Sequence, residues 1–415
     1  MTTLTDPPKE SFRLSMLIYD TRYRSMTIQV VAIIGFMLLF FWLFNNTAKN
    51  LLELGKEPSF GFLAEPAGYD INQRLIDYDN QNTHFRAAFV GLLNTLLVAV
   101  LGCITATVLG VVIGVLRLSK NWLIARIMTV YVELFRNVPV LLWIVFCMAI
   151  LIETLPAPRA FRGVETGSFV ATNRGFYIPE PLFTNSLGNI HLFGQSSLRF
   201  DISIDLIVVL IALAIGFTAR HFINKRASVI QEATGDRPTT WYLNLAAILV
   251  PVIVVLVALG FHLGNPELKG FNFKGGIYMR NSLIALWLAL SLYTAAFIAE
   301  NVRAGILAIS KGQTEAAAAL GLRPRRVMSL VVLPQAMRVI IPPLISQYLN
   351  LTKNSSLAIA VGYMDLTGTL MGITMNQTGR ELETVLIGML IYLLISLSIS
   401  LVMNWYNNSV KLVER

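Results

Sequence analysis

Eight apolar runs constrain this chain more than any other feature. They lie near residues 27–45, 91–116, 135–155, 205–219, 242–262, 281–299, 336–362 and 384–405. Several reach the ~20 residues a helix needs to cross a bilayer. Lipid offers no partner to a backbone N–H or C=O, so only helices or closed barrels can span it. The strand-like alternation of a barrel is absent, which predicts an all-α polytopic membrane protein of about eight transmembrane helices. Composition agrees: 55% of residues are hydrophobic and 14% charged, against about 25% charged in soluble domains. The fourth run is the weakest, stopping before Arg220, and Pro139 and the Pro342-Pro343 pair interrupt the third and seventh.

The net charge of +9 is a topology signal rather than a nucleic-acid footprint. With the N-terminus inside, 19 of 33 Lys and Arg residues fall in roughly 106 residues on one side, and 12 in roughly 128 on the other. Lys9, Arg13, Arg117, Arg220, Arg303, Arg323, Lys411 and Arg415 are among the 19. Eight spans with both termini cytoplasmic follow from this bias. The run from Thr27 to Phe44 lacks a small-x-small cleavage pattern after it and reads as a retained anchor. Cys103 and Cys147 fall inside spans and imply no disulfide framework.

The segments follow. Residues 1–26 are a cytoplasmic tail, 27–45 an additional span, 46–90 an outer loop and 91–155 a first helical block. Residues 156–280 are an insertion holding an outer loop and two further spans. Residues 281–408 form a second helical block with a cytoplasmic loop at 301–333, and 409–415 a cytoplasmic tail. The phosphate-cradling Gly-x-x-x-x-Gly-Lys-Ser/Thr is missing, as is any spaced Cys/His cluster for a metal. No catalytic residue and no resident cofactor is expected; if ATP drives the protein, another chain must hold it and its Mg.

The 301–333 loop carries the most specific local pattern. Glu315-Ala316-Ala317 is followed by Gly321, Arg323 and Leu333-Pro334. Thr314 is expected to cap a short helix with Glu315 in its first turn and an Ala run to propagate it. Gly321 is expected to end it with positive φ. Arg323, Arg325 and Arg326 make a basic exit, and Pro334 marks the next span.

Further residues fall into line with that loop: Tyr293-Thr294-Ala295-Ala296, Glu300-x-x-Arg303-x-Gly305, Gly312-Gln313, and Leu333-Pro334-Gln335-Ala336-x-Arg338. Lys353-Asn354-Ser355-Ser356-Leu357, and upstream Asn94-Thr95-Leu96 and Arg136-Asn137-Val138-Pro139, extend it. Over about 90–155 and 281–408 the chain resembles the permease subunits of the polar amino-acid uptake family of ABC importers. The resemblance implies a five-helix type I importer core made of the second, third, sixth, seventh and eighth spans. It implies a bacterial inner-membrane location and four kinds of partner: a second permease subunit, two ATPase subunits, a periplasmic amino-acid-binding protein and the L-amino-acid substrate. The Glu315–Gly321 helix would then be the loop that docks on the ATPase. The first span and the 156–280 insertion depart from the common core and are similar to the enlarged permeases of general L-amino-acid importers.

Charged groups within a bilayer are functional candidates by default. Lys353 lies in the interrupted seventh span beside Asn354, Ser355 and Ser356. A Lys, hydroxyls and the ends of broken helices suit a substrate carboxylate, and the resemblance places substrate contacts in this segment. Helix packing by Ser with a snorkelling Lys is the alternative. Asn137 and Pro139 can open the third span towards a path, or Glu133 and Arg136 can pair at i,i+3 in a juxtamembrane elbow. Tyr293 and Trp143 are candidates to line that path or to pack. Glu300 and Arg303 share the i,i+3 spacing and read as a structural pair, and Gly102, Gly110 and Gly114 as a close-approach face. Related permeases often carry Asp at the position of Asn354, so Asn favours neutral or acidic substrates. An ion-coupled secondary amino-acid transporter is the main alternative function; it would need no docking helix.

Overall fold

The computed structural model describes residues 16–53, 55, 58–163, 167–192 and 199–410. Lys9, Arg13, Lys411 and Arg415 lie outside the described residues. Two compact units are separated, Met1–Phe60 and Gly61–Arg415. Helices α1 (Met16–Tyr19) and α2 (Thr21–Glu53) belong to the first unit. The second contains α3 (His84–Leu116), α4 (Trp122–Asn137), α5 (Val140–Thr154), α6 (Ile204–Thr234), α7 (Trp241–Ala258) and α8 (Asn281–Leu307). It continues with α9 (Lys311–Ala319), α10 (Pro324–Val327), α11 (Leu333–Asn354), α12 (Met375–Thr378) and α13 (Glu381–Val410). Among the described residues, eight helical segments are long and apolar enough to cross a membrane, as the apolar runs predict.

α8 is the axis of the second unit. Leu283, Leu286, Leu290, Ile298 and Val302 are buried along it, packed against α3, α4, α5 and α11. Apolar burial does not drive helix association in lipid, so close packing and polar links must hold such a bundle. Both are present. A Cβ on Gly110 of α3 would lie 2.6 Å from Ile298 Cβ, so only glycine allows this crossing. The Tyr131 hydroxyl donates to the Leu292 carbonyl at 2.7 Å, Trp287 Nε1 to Thr105 Oγ1 at 3.1 Å, and Thr107 and Tyr348 share a hydroxyl bond at 2.7 Å.

The insertion is not plain loop. Among the described residues it contributes nine short strands: β1 (Val170–Thr172), β2 (Gly175–Ile178), β3 (Glu180–Phe183), β4 (Asn189–Leu192), β5 (Phe200–Ser203), β6 (Phe261–Gly264), β7 (Glu267–Lys269), β8 (Asn272–Lys274) and β9 (Ile277–Arg280). All pairings are antiparallel. One sheet runs β1-β2-β9, and β3-β6, β4-β5 and β7-β8 form two-stranded ladders. Strands before the α6–α7 hairpin therefore pair with strands after it, as in Tyr177↔Tyr278 and Pro181↔Leu263. Val170, Tyr177 and Phe273 form the small core of this layer.

Three expectations are corrected. α11 runs unbroken through Pro342 and Pro343. The irregular stretches flank it instead: a wide π turn at Met328–Val332, just before Pro334, and a tight 3₁₀ turn at Ser355–Val361. Proline removes one i→i−4 bond, which neighbouring groups in a bundle can absorb without a break. The fourth span does not stop before Arg220 but continues to Thr234. The third begins at Val140, not 135, because Pro139 N-caps α5, and the preceding residues form the separate amphipathic helix α4, capped by Asn121.

Candidate functional site

The loop between α8 and α11 is built around α9. Its N-cap is Ser310, not Thr314; the Thr314 hydroxyl instead donates to the Lys311 carbonyl at 2.7 Å, within the helix. Glu315 consequently sits in the second turn, exposed, outside the positive first turn. The C-terminal end is as expected. Gly321 has φ of 79°, its N–H bonds the Ala318 carbonyl at 2.9 Å, and the Leu322 N–H bonds that of Ala317 at 3.3 Å. These two bonds are the Schellman pattern, in which a left-handed residue satisfies the last carbonyls of a helix.

A satellite core seats the loop. Ala317, Val327 and Val332 are buried together, with Ile306 of α8 and Leu322 packed against them. Glu315, Ala316, Arg323 and Leu333 remain exposed, and Pro334 is half-buried. Leu320, which the sequence reading did not single out, is 83% exposed at the tip of the helix. Its signal was available: the helical neighbours at i−3 and i−4, Ala317 and Ala316, are too short to cover a leucine.

At the base of this loop, Glu300 accepts from Arg303 Nη2 at 2.6 Å, as the spacing predicts. Arg117, the C-cap of α3, binds the other carboxylate oxygen. One carboxylate thus ties α3 to α8, a link no local spacing reveals.

Candidate path residues fall into two groups. Lys353 lies in the last turn of α11 and is exposed, Asn354 is half-buried at the helix–3₁₀ junction, and Ser356 is half-buried one residue beyond Ser355. Ser355 is fully buried and donates to the Thr352 carbonyl at 2.8 Å. Asn137 and Pro139 flank the α4–α5 break, and Tyr293 and Trp143 both pack against the buried cluster that contains Phe135. The Trp143 ring stacks on Phe135 at 4.2 Å. The elbow pairing of Glu133 with Arg136 is not formed: Glu133 accepts from Asn137 Nδ2 at 3.3 Å, while Arg136 lies 5.5 Å from the Phe297 ring centroid. Among the described residues, no hydrogen bond, ion pair or ring contact joins the Lys353 group to the Tyr293 group.

One buried charge went unnoticed in the sequence. Asp365, between the seventh and eighth spans, is fully buried. Its carboxylate accepts from the Gly368 N–H at 2.8 Å and the Tyr392 hydroxyl at 3.2 Å. Burial pushes its pKa up to about 6, against these bonds, which lower it. The adjoining turn is held by the Asn94-Thr95 pair. Asn94 Nδ2 donates to the carbonyls of Gln73 at 2.7 Å and Met364 at 2.8 Å, and Thr95 Oγ1 accepts from the Leu366 N–H at 3.0 Å.

Comparison with known proteins agrees with this architecture. Residues 236–412 match the family described as the binding-protein-dependent transport system inner membrane component. The chain is 57% identical, over the whole of both chains, to the glutamate/glutamine/aspartate/asparagine transport system permease protein BztB of Rhodobacter capsulatus. It is 45% identical to the general L-amino acid transport system permease protein AapQ of Rhizobium johnstonii, over 98% of this chain and 96% of that one. Identity to the putative amino-acid ABC transporter permease protein YhdX of Escherichia coli is 43%, over 94% and 95%. These relatives give the ion-coupled alternative no support. Because the likeness takes in the inserted layer and the additional spans as well as the helical core, the chain belongs to the family of binding-protein-dependent transport system inner-membrane components, and it is a transport permease rather than an enzyme.

Proposed function

We propose that this permease is one membrane half of an ATP-driven importer of polar L-amino acids, among them glutamate, glutamine, aspartate and asparagine. It pairs with a second permease subunit in a bacterial inner membrane, both termini cytoplasmic, and receives substrate from a periplasmic binding protein. Two separate ATPase subunits hold the ATP and Mg. The observation that carries this reading is the α9 unit: a short helix with a glycine-fixed end, seated on its own core and presenting Glu315, Ala316 and Leu320 outward. A rigid knob of that kind transmits a displacement, because the ends of α8 and α11 must move with it. Leu333 and Pro334 continue the same lever into the seventh span, and Arg323 supplies a cation at its exit.

Substrate contact is assigned to Lys353, Asn354 and Ser356, with Asn137, Pro139 and Tyr293 lining a more distant stretch of the path. Ser355 supports the turn through its bond to Thr352. The full-length relatives named for acidic amino acids and their amides support the substrate class, as does the neutral Asn354. The test is uptake of labelled L-glutamate into proteoliposomes holding the complete complex. Uptake should require ATP on the α9 side and loaded binding protein on the other. Uptake driven by a cation gradient without ATP would refute the proposal.

A further inference from the structure

Arg280 closes β9 and is the N-cap residue of α8, without a side-chain cap bond. Its register partner is Gly175, and Arg174 directly precedes that strand. These two arginines, with Asn72, Tyr177 and Tyr278, line a half-open cavity of about 390 Å³ whose charged lining residues are all basic. Tyr177 is only 5% exposed, and its ring stacks on Tyr278 at 4.8 Å.

The cavity is short of acceptors. The Tyr278 hydroxyl is committed to the Arg174 carbonyl at 2.8 Å. The Tyr177 hydroxyl has no acceptor among the described residues, and burial first, then the neighbouring Tyr278, raise its pKa, so it stays a donor. Arg280 uses its backbone N–H on Gln73 Oε1 at 3.2 Å, but its guanidinium meets no acceptor among the described residues. Arg174 Nη1 donates to Asn272 Oδ1. The Tyr177 and Arg280 donors face the cleft without an acceptor among the described residues and are available to a ligand. Two planar guanidiniums, a phenol donor and the positive end of a long helix match one chemistry well: a carboxylate, held by the guanidinium fork with its carbon chain on the tyrosine wall.

We propose that this cleft of the β-layer binds a carboxylate, brought either by a free dicarboxylic acid or by an Asp or Glu side chain of a protein seated on the layer. Two arms separate the sources. In the first, succinate is titrated calorimetrically into the full chain in lipid nanodiscs at low salt. If the acid is free, succinate binds saturably, Arg280→Gln weakens it about ten- to a hundredfold, and Arg280→Lys restores part of the loss. In the second, which alone rests on the importer reading, the assembled complex is titrated with loaded binding protein. If a protein supplies the carboxylate, Arg280→Gln weakens this affinity about tenfold or more at low salt and less at high salt, without lowering uptake at saturating binding protein. Tyr177→Phe keeps the ring stack and removes only the donor, so it carries both arms should the arginine variants fail to assemble. Wild-type affinity of the variants in both arms overturns the proposal. So does inorganic phosphate binding as tightly as succinate.

Discussion

Replacing Gly321 by valine tests the docking knob at its most determined point. A Cβ there meets nothing within 4 Å, so crowding inside the protein contributes nothing and the effect is purely one of backbone. An L-residue in the left-handed region costs roughly 1–2 kcal/mol, and a β-branched one more. If the chain escapes the strain by leaving φ of 79°, it forfeits the Gly321–Ala318 and Leu322–Ala317 bonds, each worth roughly 0.5–1.5 kcal/mol net. Either way about 2 kcal/mol separates the native helix end from alternatives, enough to change its population by over tenfold. The site lies outside the spans, so insertion and abundance should be normal. In the reconstituted complex, stimulation of ATPase by loaded binding protein should fall about tenfold or more for Gly321→Val, less for Gly321→Ala, and little for Gly321→Asn, since Asn tolerates this conformation. Wild-type stimulation and uptake in the valine variant would refute the reasoning. Equal losses for Asn and Val would show that bulk in the partner's groove, not φ, decides.

Four further outcomes are expected. Glu315→Lys should leave abundance and thermal unfolding unchanged, because the residue is exposed beyond the first helical turn, yet abolish stimulated ATPase turnover; retained turnover would make Glu315 a bystander. Lys353→Met should lower uptake tenfold or more with assembly intact, and unchanged uptake kinetics would return the lysine to packing. For Asp365 the folded pKa of about 6 lies above the ordinary 3.8, so the native state binds the extra proton and stability falls as pH rises through that interval. The full penalty, roughly 3 kcal/mol, stands above it; Asp365→Asn should therefore raise the unfolding midpoint near neutral pH and flatten its pH dependence, and a lowered midpoint would overturn this. Single cysteines at Phe60 and Glu180 should label from outside, and one at Arg323 only after permeabilisation; external labelling at Arg323 would reverse the proposed orientation.

What the sequence reveals and what it hides divide along physical lines. Long apolar runs announce spans because the bilayer imposes their length. Gly321 is visible because a single residue type solves a single backbone problem, and Gly110 because close crossings need a missing side chain. The strands of the insertion are only three or four residues long, too short to show alternation, and β2 and β3 find partners on the far side of two spans, so no local window contains both halves of those two pairs. Pro342-Pro343 misleads because proline's local preference is overruled by the bundle around it. Helix α4 hides behind Arg126, whose charge reads as loop although the helix keeps one apolar face with Val132 and Phe135 buried. Asp365 and the Arg117–Glu300 link are products of tertiary placement and have no sequence signature of their own.

The pairing of β2 with β9 and β3 with β6 also dictates an order of events during synthesis. When Gly175–Phe183 leaves the ribosome, its partners are roughly a hundred residues from being made, and such non-local pairing is intrinsically slow. Until α6 and α7 have been threaded into the membrane, two strand edges wait unpaired, open to association with other chains. α3 and α5 wait too, for α8 follows directly on β9. Closure of the layer and arrival of the central helix are thus one event, and a chain halted before Ile277 lacks both.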